Sequence, residues 1–440
     1  MNRRRIGLWL MTALLVFSLS ACTHAPTATP QPAEPTAQVE ETAPIPAALS
    51  LRITWTAYSG RGVAIQKIVD TYNAGSDAPI AMIGGDEDLQ AVQALLDRNA
   101  PILYVLPYRF VKYFGENGAL ADLTEPFASE RSAYYPQVWD LGTVGGATYG
   151  IPWLGHAMCL LYNRTLLAKA GVDAASITSR AAFVRALEQV EAKTNAKGIG
   201  LVGGEGNDIS WMVNQFIYGF GGSLVSTDGA RVTLNSEQSR AALGFYREVL
   251  GAHAQPTWQT DTGVEVMNHF RNQEVAFEIQ GIWGVTDIQK NGKPFDVGVL
   301  PLKEIGACAE VGPMMLAVPA GMDEALQAQA VALIRYLISP KAQGQILLGE
   351  YSPEHDAYYP FRTPIRNDTP ATEAFRAYPD YTAFIEGFEN PSVDVPVPAW
   401  QSVKDLYYGS GLHRVMTGEL TVDAFLAQIE TEGNRILQNN

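Results

Sequence analysis

Apolar positions along this chain recur with two periods, and the periods alternate. "LRITWTAYSG" (Leu51–Gly60) reads as a strand ending in a turn. Ile65, Ile68, Val69 and Tyr72 then fall at i, i+3, i+4 and i+7, one face of a helix. "PIAMIGG" is a second strand with a glycine stop, "LQAVQALLDRN" a helix, and "ILYVLP" a third strand. This β-α-β-α-β opening predicts a parallel sheet covered by helices.

Further on, "ATYGIPWLGHAMCLLYN" (Ala147–Asn163) is strand-rich and broken at Gly150-Ile151-Pro152. A helix is predicted from about Ala181, capped by Thr178 or Ser179, and another over "NSEQSRAALGFYREVL" with Asn235 or Ser236 as cap. "VAFEIQGIWGV" (Val275–Val285) begins as a strand, breaks at Gly281, offers Trp283 and breaks again at Gly284. "FDVGVLPL" and "MMLAVPAG" are short strands. "ALQAQAVALIRYLISP" is a helix stopped by Pro340, and "TVDAFLAQIETEGNRIL" a last helix capped by Thr421. No internal repeat is visible.

The first residues follow neither period. Arg3, Arg4 and Arg5 precede a mostly apolar stretch, Ile6–Leu19, that is short for a membrane span. It ends in "LSAC", where small residues before Cys22 look like a bacterial lipobox: residues 1–21 are a lipoprotein signal peptide and Cys22 the lipidated first residue of the mature chain. A plain signal peptide with a chance cysteine is the competing reading. The Pro-, Ala- and Thr-rich stretch that follows, with 22–49 as its bounds, has almost nothing to bury and reads as a tether. The globular body is therefore expected to be extracytoplasmic, lipid-anchored to the bacterial cell membrane.

Composition adds bounds. At 440 residues, two domains are the default. The net charge of −15 argues against nucleic acid as a partner, since phosphate binding needs a basic surface, and favours a soluble monomer. The six histidines are scattered, with no HExxH or CxxC cluster, so no metal site is expected. There is no dinucleotide fingerprint ("GGEGND" has the wrong spacing), no phosphate loop and no GxSxG elbow, so neither cofactor nor catalytic residue is assigned. A glycosidase needs only two carboxylates at a fixed separation, which no sequence spacing excludes. Cys159 and Cys308 are read either as a disulfide or as two buried thiols.

What the sequence does hold is aromatic residues at element ends: Trp153, Trp211, Trp283 and Trp400. Each alone reads first as core. Together, with polar neighbours, they suit the apolar faces of sugar rings, while nearby polar groups replace the water lost from the hydroxyls.

Five blocks in order carry a resemblance: "ITWTAYSGRGVAIQKIVDTYN", "APILYVLPYRFVKYFGENGALADLTE", "GGATYGIPWLGHAMCLLYNRTLLAKAGV", "VAFEIQGIWGV" and "LISPKAQGQIL". They are similar to the family 1 extracellular solute-binding proteins of ABC sugar importers, the group that includes maltose-binding protein. The resemblance implies an α/β, two-lobed periplasmic-binding-protein-like fold, with several hinge crossings and a ligand cleft between the lobes. Lobe one is placed at 50–145 and 297–342, lobe two at 146–296 and 343–440. It implies a binding protein, not an enzyme, that delivers a sugar or oligosaccharide to ABC importer permease subunits. Trp211, Trp283 and Trp400 fall at the family's sugar-stacking positions. Tyr58 and Ser59 sit on its contact loop after strand one, Asp86 near another contact, and Arg109 at a matching arginine beside the departing Tyr108. Trp153 completes the expected ligand-binding aromatics. Glu278 is read either as an exposed carboxylate or as a cleft residue, and Arg362 either as a ligand contact or as a rim ion pair. The "VGPMM" and "YPFR" stretches depart from the family pattern and leave the sugar class open. A receptor for an oligopeptide or polyamine, a surface glycosidase, and an adhesion lipoprotein are the competing functions.

Overall fold

The computed structural model describes residues 48–85, 100–369, 379–393, 395 and 397–438, and all of these belong to one compact unit. Strand β1 (Ser50–Arg52) leads to helix α1 (Gly60–Asn73), capped by Ser59, whose hydroxyl accepts from the Gly62 N–H. The periodic face appears as read, with Ile65, Ile68 and Val69 buried. β2 (Ala81–Ile83), β3 (Ile102–Pro107) and helix α2 (Tyr108–Glu116) follow. The expected helix over "LQAVQALLDRN" lies outside the described residues, as do Cys22, the leader and nearly all of the tether.

β4 (Ile151–Gly155) and β5 (Cys159–Asn163) come next, then α3 (Arg180–Lys193) with Ser179 as its cap, β6 (Lys197–Gly200) and α4 (Asn207–Gly219). β7 (Val275–Gln280) ends at Gly281, which caps α5 (Ile282–Lys290). β8 (Val297–Pro301), β9 (Met314–Ala317) and α6 (Glu324–Leu337) precede a hairpin, β10 (Glu350–Ser352) and β11 (Ala357–Tyr359), and the short β12 (Thr363–Pro364). Pro340 does not simply stop α6. It stands at the first position of a new helical segment, Pro340–Gln345, capped by Ser339, because a first-turn position needs no N–H. Helices α7 (Pro398–Val403), α8 (Gly409–Thr417) and α9 (Val422–Leu437) close the chain.

Two sheets organise two lobes. The first has the order β12-β4-β9-β3-β1-β2 and the second β8-β5-β7-β6. Helices cover both, and central strands such as β4, β5 and β7 are buried along their whole length, as a two-sided sheet requires. Sheet membership moves the expected lobe boundaries. β4 pairs in the first sheet, so the first crossing is 156–158 and not 145–146. β8 pairs in the second sheet, so the return crossing is 302–313. β12 rejoins the first sheet, although 343 onward was placed in lobe two. An apolar run reads the same whichever sheet it joins, and only the pairing tells them apart.

Candidate functional site

Strand direction fixes where a site forms. β1 runs parallel to β2 and β3, whereas β9 runs antiparallel to β3 and β4, and β12 antiparallel to β4. The carboxyl ends of β1, β3 and β4 therefore share one edge with the amino ends of β9 and β12. In the second sheet β6 is parallel to β7, while β5 is antiparallel to β7 and β8. The carboxyl ends of β6, β7 and β8 again share an edge with the amino end of β5. Open sheets bind ligands at such edges.

A cavity of about 900 Å³ lies there. From the first lobe it is lined by Thr54 and Trp55 after β1, by Tyr108, Arg109 and Tyr113 of α2, and by Arg362 just before β12. From the second lobe come Glu205, Asn207 and Trp211 after β6, with Gln401, Lys404 and Asp405 on and after α7. His156, Glu310 and Gly312 complete the wall from the two crossings.

The crossings are zipped together. Met158 N–H donates to Glu310 O at 2.9 Å, and Gly312 N–H to His156 O at 3.1 Å. Beside this ladder, His156 Nε2 lies 2.7 Å from Glu310 Oε2. A Cβ at position 312 would stand 2.2 Å from His156 Cε1, so any larger residue there must displace the ring. Sequence reasoning missed His156, Glu310, Trp55 and Tyr113. Tyr113 is 44% exposed on the cavity wall. The sequence placed its break at Gly150-Ile151-Pro152, whereas β4 runs through Ile151–Gly155, so nothing local pointed to His156. Glu310 pairs with it across 154 residues, which no local pattern reports.

Of the expected site residues, Tyr108, Arg109, Trp211 and Arg362 meet in the cavity wall. Arg362 is held among rings, its guanidinium carbon 4.4 Å from the Phe361 centroid, 5.4 Å from Trp55 and 5.5 Å from Trp283. Trp283 is half-buried and stands behind the wall. Its indole folds back over Gly281, where a Cβ would lie 2.2 Å from the ring, and meets His156 edge-on at 5.2 Å. Gly281 thus lets the ring lie against its own chain, Gly284 makes room for Gln280 and Leu161, and Trp283 backs Arg362 and His156 where direct stacking was expected.

Other residues fall elsewhere. Trp153 and Trp400 are core residues, 0% and 1% exposed. Trp153 sits on β4, flanked by β9 and β12, and Trp400 packs on Tyr408 with ring centroids 5.6 Å apart. A tryptophan at an element end need not face the open edge. Glu278 is buried on β7, neither exposed nor in the cavity wall. Burial pushes its carboxyl well above the usual range, Asp287 raises it further, and Arg271 opposes this. Tyr58 is 87% exposed and does not line the cavity. Ser59 caps α1 and borders a smaller neighbouring cavity. Asp86 lies outside the described residues.

Cys159 and Cys308 are free and buried, and burial pushes both thiols up. Among the described residues no cluster of His, Cys, Asp and Glu is arranged to hold a metal ion, and no helix is long and apolar enough to cross a membrane.

The profile of the bacterial extracellular solute-binding proteins matches residues 67–380. No curated protein sequence matches this one. Among solved structures, the sugar-binding protein MalE of the phytopathogen Xanthomonas citri is similar with a TM-score of 0.75 at 19% identity, over 89% of this chain and 98% of that one. The GacH receptor of Streptomyces glaucescens, solved unliganded and with acarbose, gives 0.69 at 20% identity over 89% and 98%. UgpB of Mycobacterium tuberculosis, in complex with glycerophosphocholine, gives 0.70 at 17% identity over 89% and 98%. At these identities the likeness establishes the fold: two lobes with a ligand cleft between them.

Proposed function

Since the chain belongs to the bacterial extracellular solute-binding proteins, we propose that it captures a sugar or oligosaccharide in the cleft and delivers it intact to the permease subunits of an ABC importer, tethered through a lipidated Cys22. The observation that carries the sugar reading is the make-up of the cavity wall. Tyr113 from the first lobe and Trp211 from the second offer aromatic surface, beside the largely buried Trp55 and Tyr108, interleaved with Arg109, Asn207 and Gln401. Aromatic faces take the C–H faces of sugar rings. The interleaved polar groups pair with the hydroxyls, which otherwise lose hydrogen bonds on leaving water. The sugar-binding MalE and the acarbose-loaded GacH support the same reading.

A cationic solute such as a polyamine is the second reading, favoured by Glu205, Glu310 and Asp405 in the same wall. A thermal-shift panel of mono- and oligosaccharides, peptides and polyamines decides between them. A ligand at 100 times its Kd adds about 2.7 kcal/mol of stability. Shifts with saccharides alone support the proposal, and shifts with polyamines or peptides alone replace it.

A further inference from the structure

A second cavity, of about 390 Å³, adjoins the main one. Thr54 and Trp55 border both and form the partition between them. On its far side stand Ser59 and Arg61 at the amino end of α1, and Glu350 at the start of β10.

Two features mark this space as built for a polar ligand. First, the partition holds orphaned polar atoms. Thr54 is 4% and Trp55 6% exposed, and both Thr54 Oγ1 and Trp55 Nε1 are buried without a hydrogen-bond partner. Native interiors rarely leave such atoms unpaired; both are closed off as the partition stands, so they meet a ligand only when the partition shifts. Second, the charged groups opposite are fixed from behind. The Arg61 guanidinium carbon stands 3.6 Å over the Phe361 ring, and its Nε lies 3.5 Å from Glu350 Oε2. Glu350 Oε1 accepts from Lys290 Nζ at 2.6 Å. A guanidinium carries five N–H donors in a fixed fork, and Arg61 approaches Glu350 as an ion pair through Nε. A hydroxyl both donates and accepts, so it suits a wall that offers N–H groups and a carboxylate together.

We infer that the second cavity is a subsite of the cleft that takes the far end of an elongated polyhydroxylated ligand running past Trp55. This rests on the saccharide reading above, and it commits that reading to an oligomer over a single ring.

The test is calorimetric titration of the full chain with gluco- and xylo-oligosaccharides of one to five units, repeated on Glu350→Gln and Arg61→Gln. A ligand-free melt of each variant checks its folding. Affinity is expected to step up by about tenfold or more at the unit that passes Trp55. Each variant should cut that step by about tenfold and leave shorter ligands within about twofold. Length-independent affinity, or a step that both folded variants keep, overturns the subsite while leaving the saccharide reading in place. Binding of no saccharide at all overturns that reading and this inference with it.

Discussion

Trp400→Ala and Trp211→Ala separate core from cleft. The Trp400 indole is 1% exposed, and it begins a buried ring stack, 5.6 Å from Tyr408, which in turn lies 5.9 Å from Phe425. Its deletion leaves a cavity between α7, α8 and α9 that close packing cannot refill. The expected cost is about 3–5 kcal/mol, the range for removing a large buried aromatic. For a chain of this size that lowers the melting temperature by about 4–6 °C. Trp211 is half-buried on α4 and faces the cavity. Removing it takes away a stacking platform, a loss of roughly 1–3 kcal/mol in binding by analogy with base–aromatic stacking, or about 5- to 150-fold in Kd. Each variant is melted without ligand, then titrated with the best ligand from the panel. Trp400→Ala should melt lower and, where folded, bind within about threefold of the parent, a margin under 1 kcal/mol. Trp211→Ala should lose affinity with a smaller change in melting. The opposite result, affinity lost at Trp400 and kept at Trp211, refutes the placement of both rings.

Other expectations follow from single contacts. The folded-state carboxyl of Glu278 is raised well above the ordinary 4.5, so the folded protein holds a proton that the unfolded chain has released. Its contribution is therefore fully present below pH 4.5 and is lost as pH rises, by up to about 1.4 kcal/mol per pH unit, until the folded group ionises. Melts of Glu278→Gln against the parent from pH 4.5 to 7 should show the variant gaining relative stability with pH, and parallel curves would contradict the burial argument. Gly312→Ala should displace the His156 ring from Glu310, lowering stability by about 1–3 kcal/mol and weakening ligand binding. An unchanged melt and Kd would show that the crossing tolerates the shift. Cys22→Ala should move the protein out of the membrane fraction, whereas an unmodified mature N-terminus in the parent, read by mass spectrometry, would remove the anchor from the proposal.

The sequence made the local elements legible and left their partnerships dark. Ile65, Ile68 and Val69 announce α1 because helix period is a property of neighbouring residues. The caps Ser179 and Thr421 are equally local. Glu278 alternates with apolar residues as an exposed position would, yet β7 lies between β5 and β6 with both faces covered, so alternation carries no information there. The four tryptophans share one sequence context and divide three ways: Trp211 in the wall, Trp283 behind it, Trp153 and Trp400 in the core. Which edge of a sheet an element end joins depends on strand order, and strand order is set by pairing between distant segments. The same holds for His156 and Glu310, which meet only because two crossings run side by side.

The central claim is capture without turnover in a cleft that closes. Small-angle scattering of the protein, alone and saturated with the tightest saccharide, measures it most directly when the ligand is recovered from the same sample and checked for cleavage. The two lobes, hinged at 156–158, at 302–313 and at the third crossing between β12 and α7, should close on the ligand, giving a smaller radius of gyration with the saccharide recovered intact. An unchanged radius at saturation, or a hydrolysed ligand, would contradict the account.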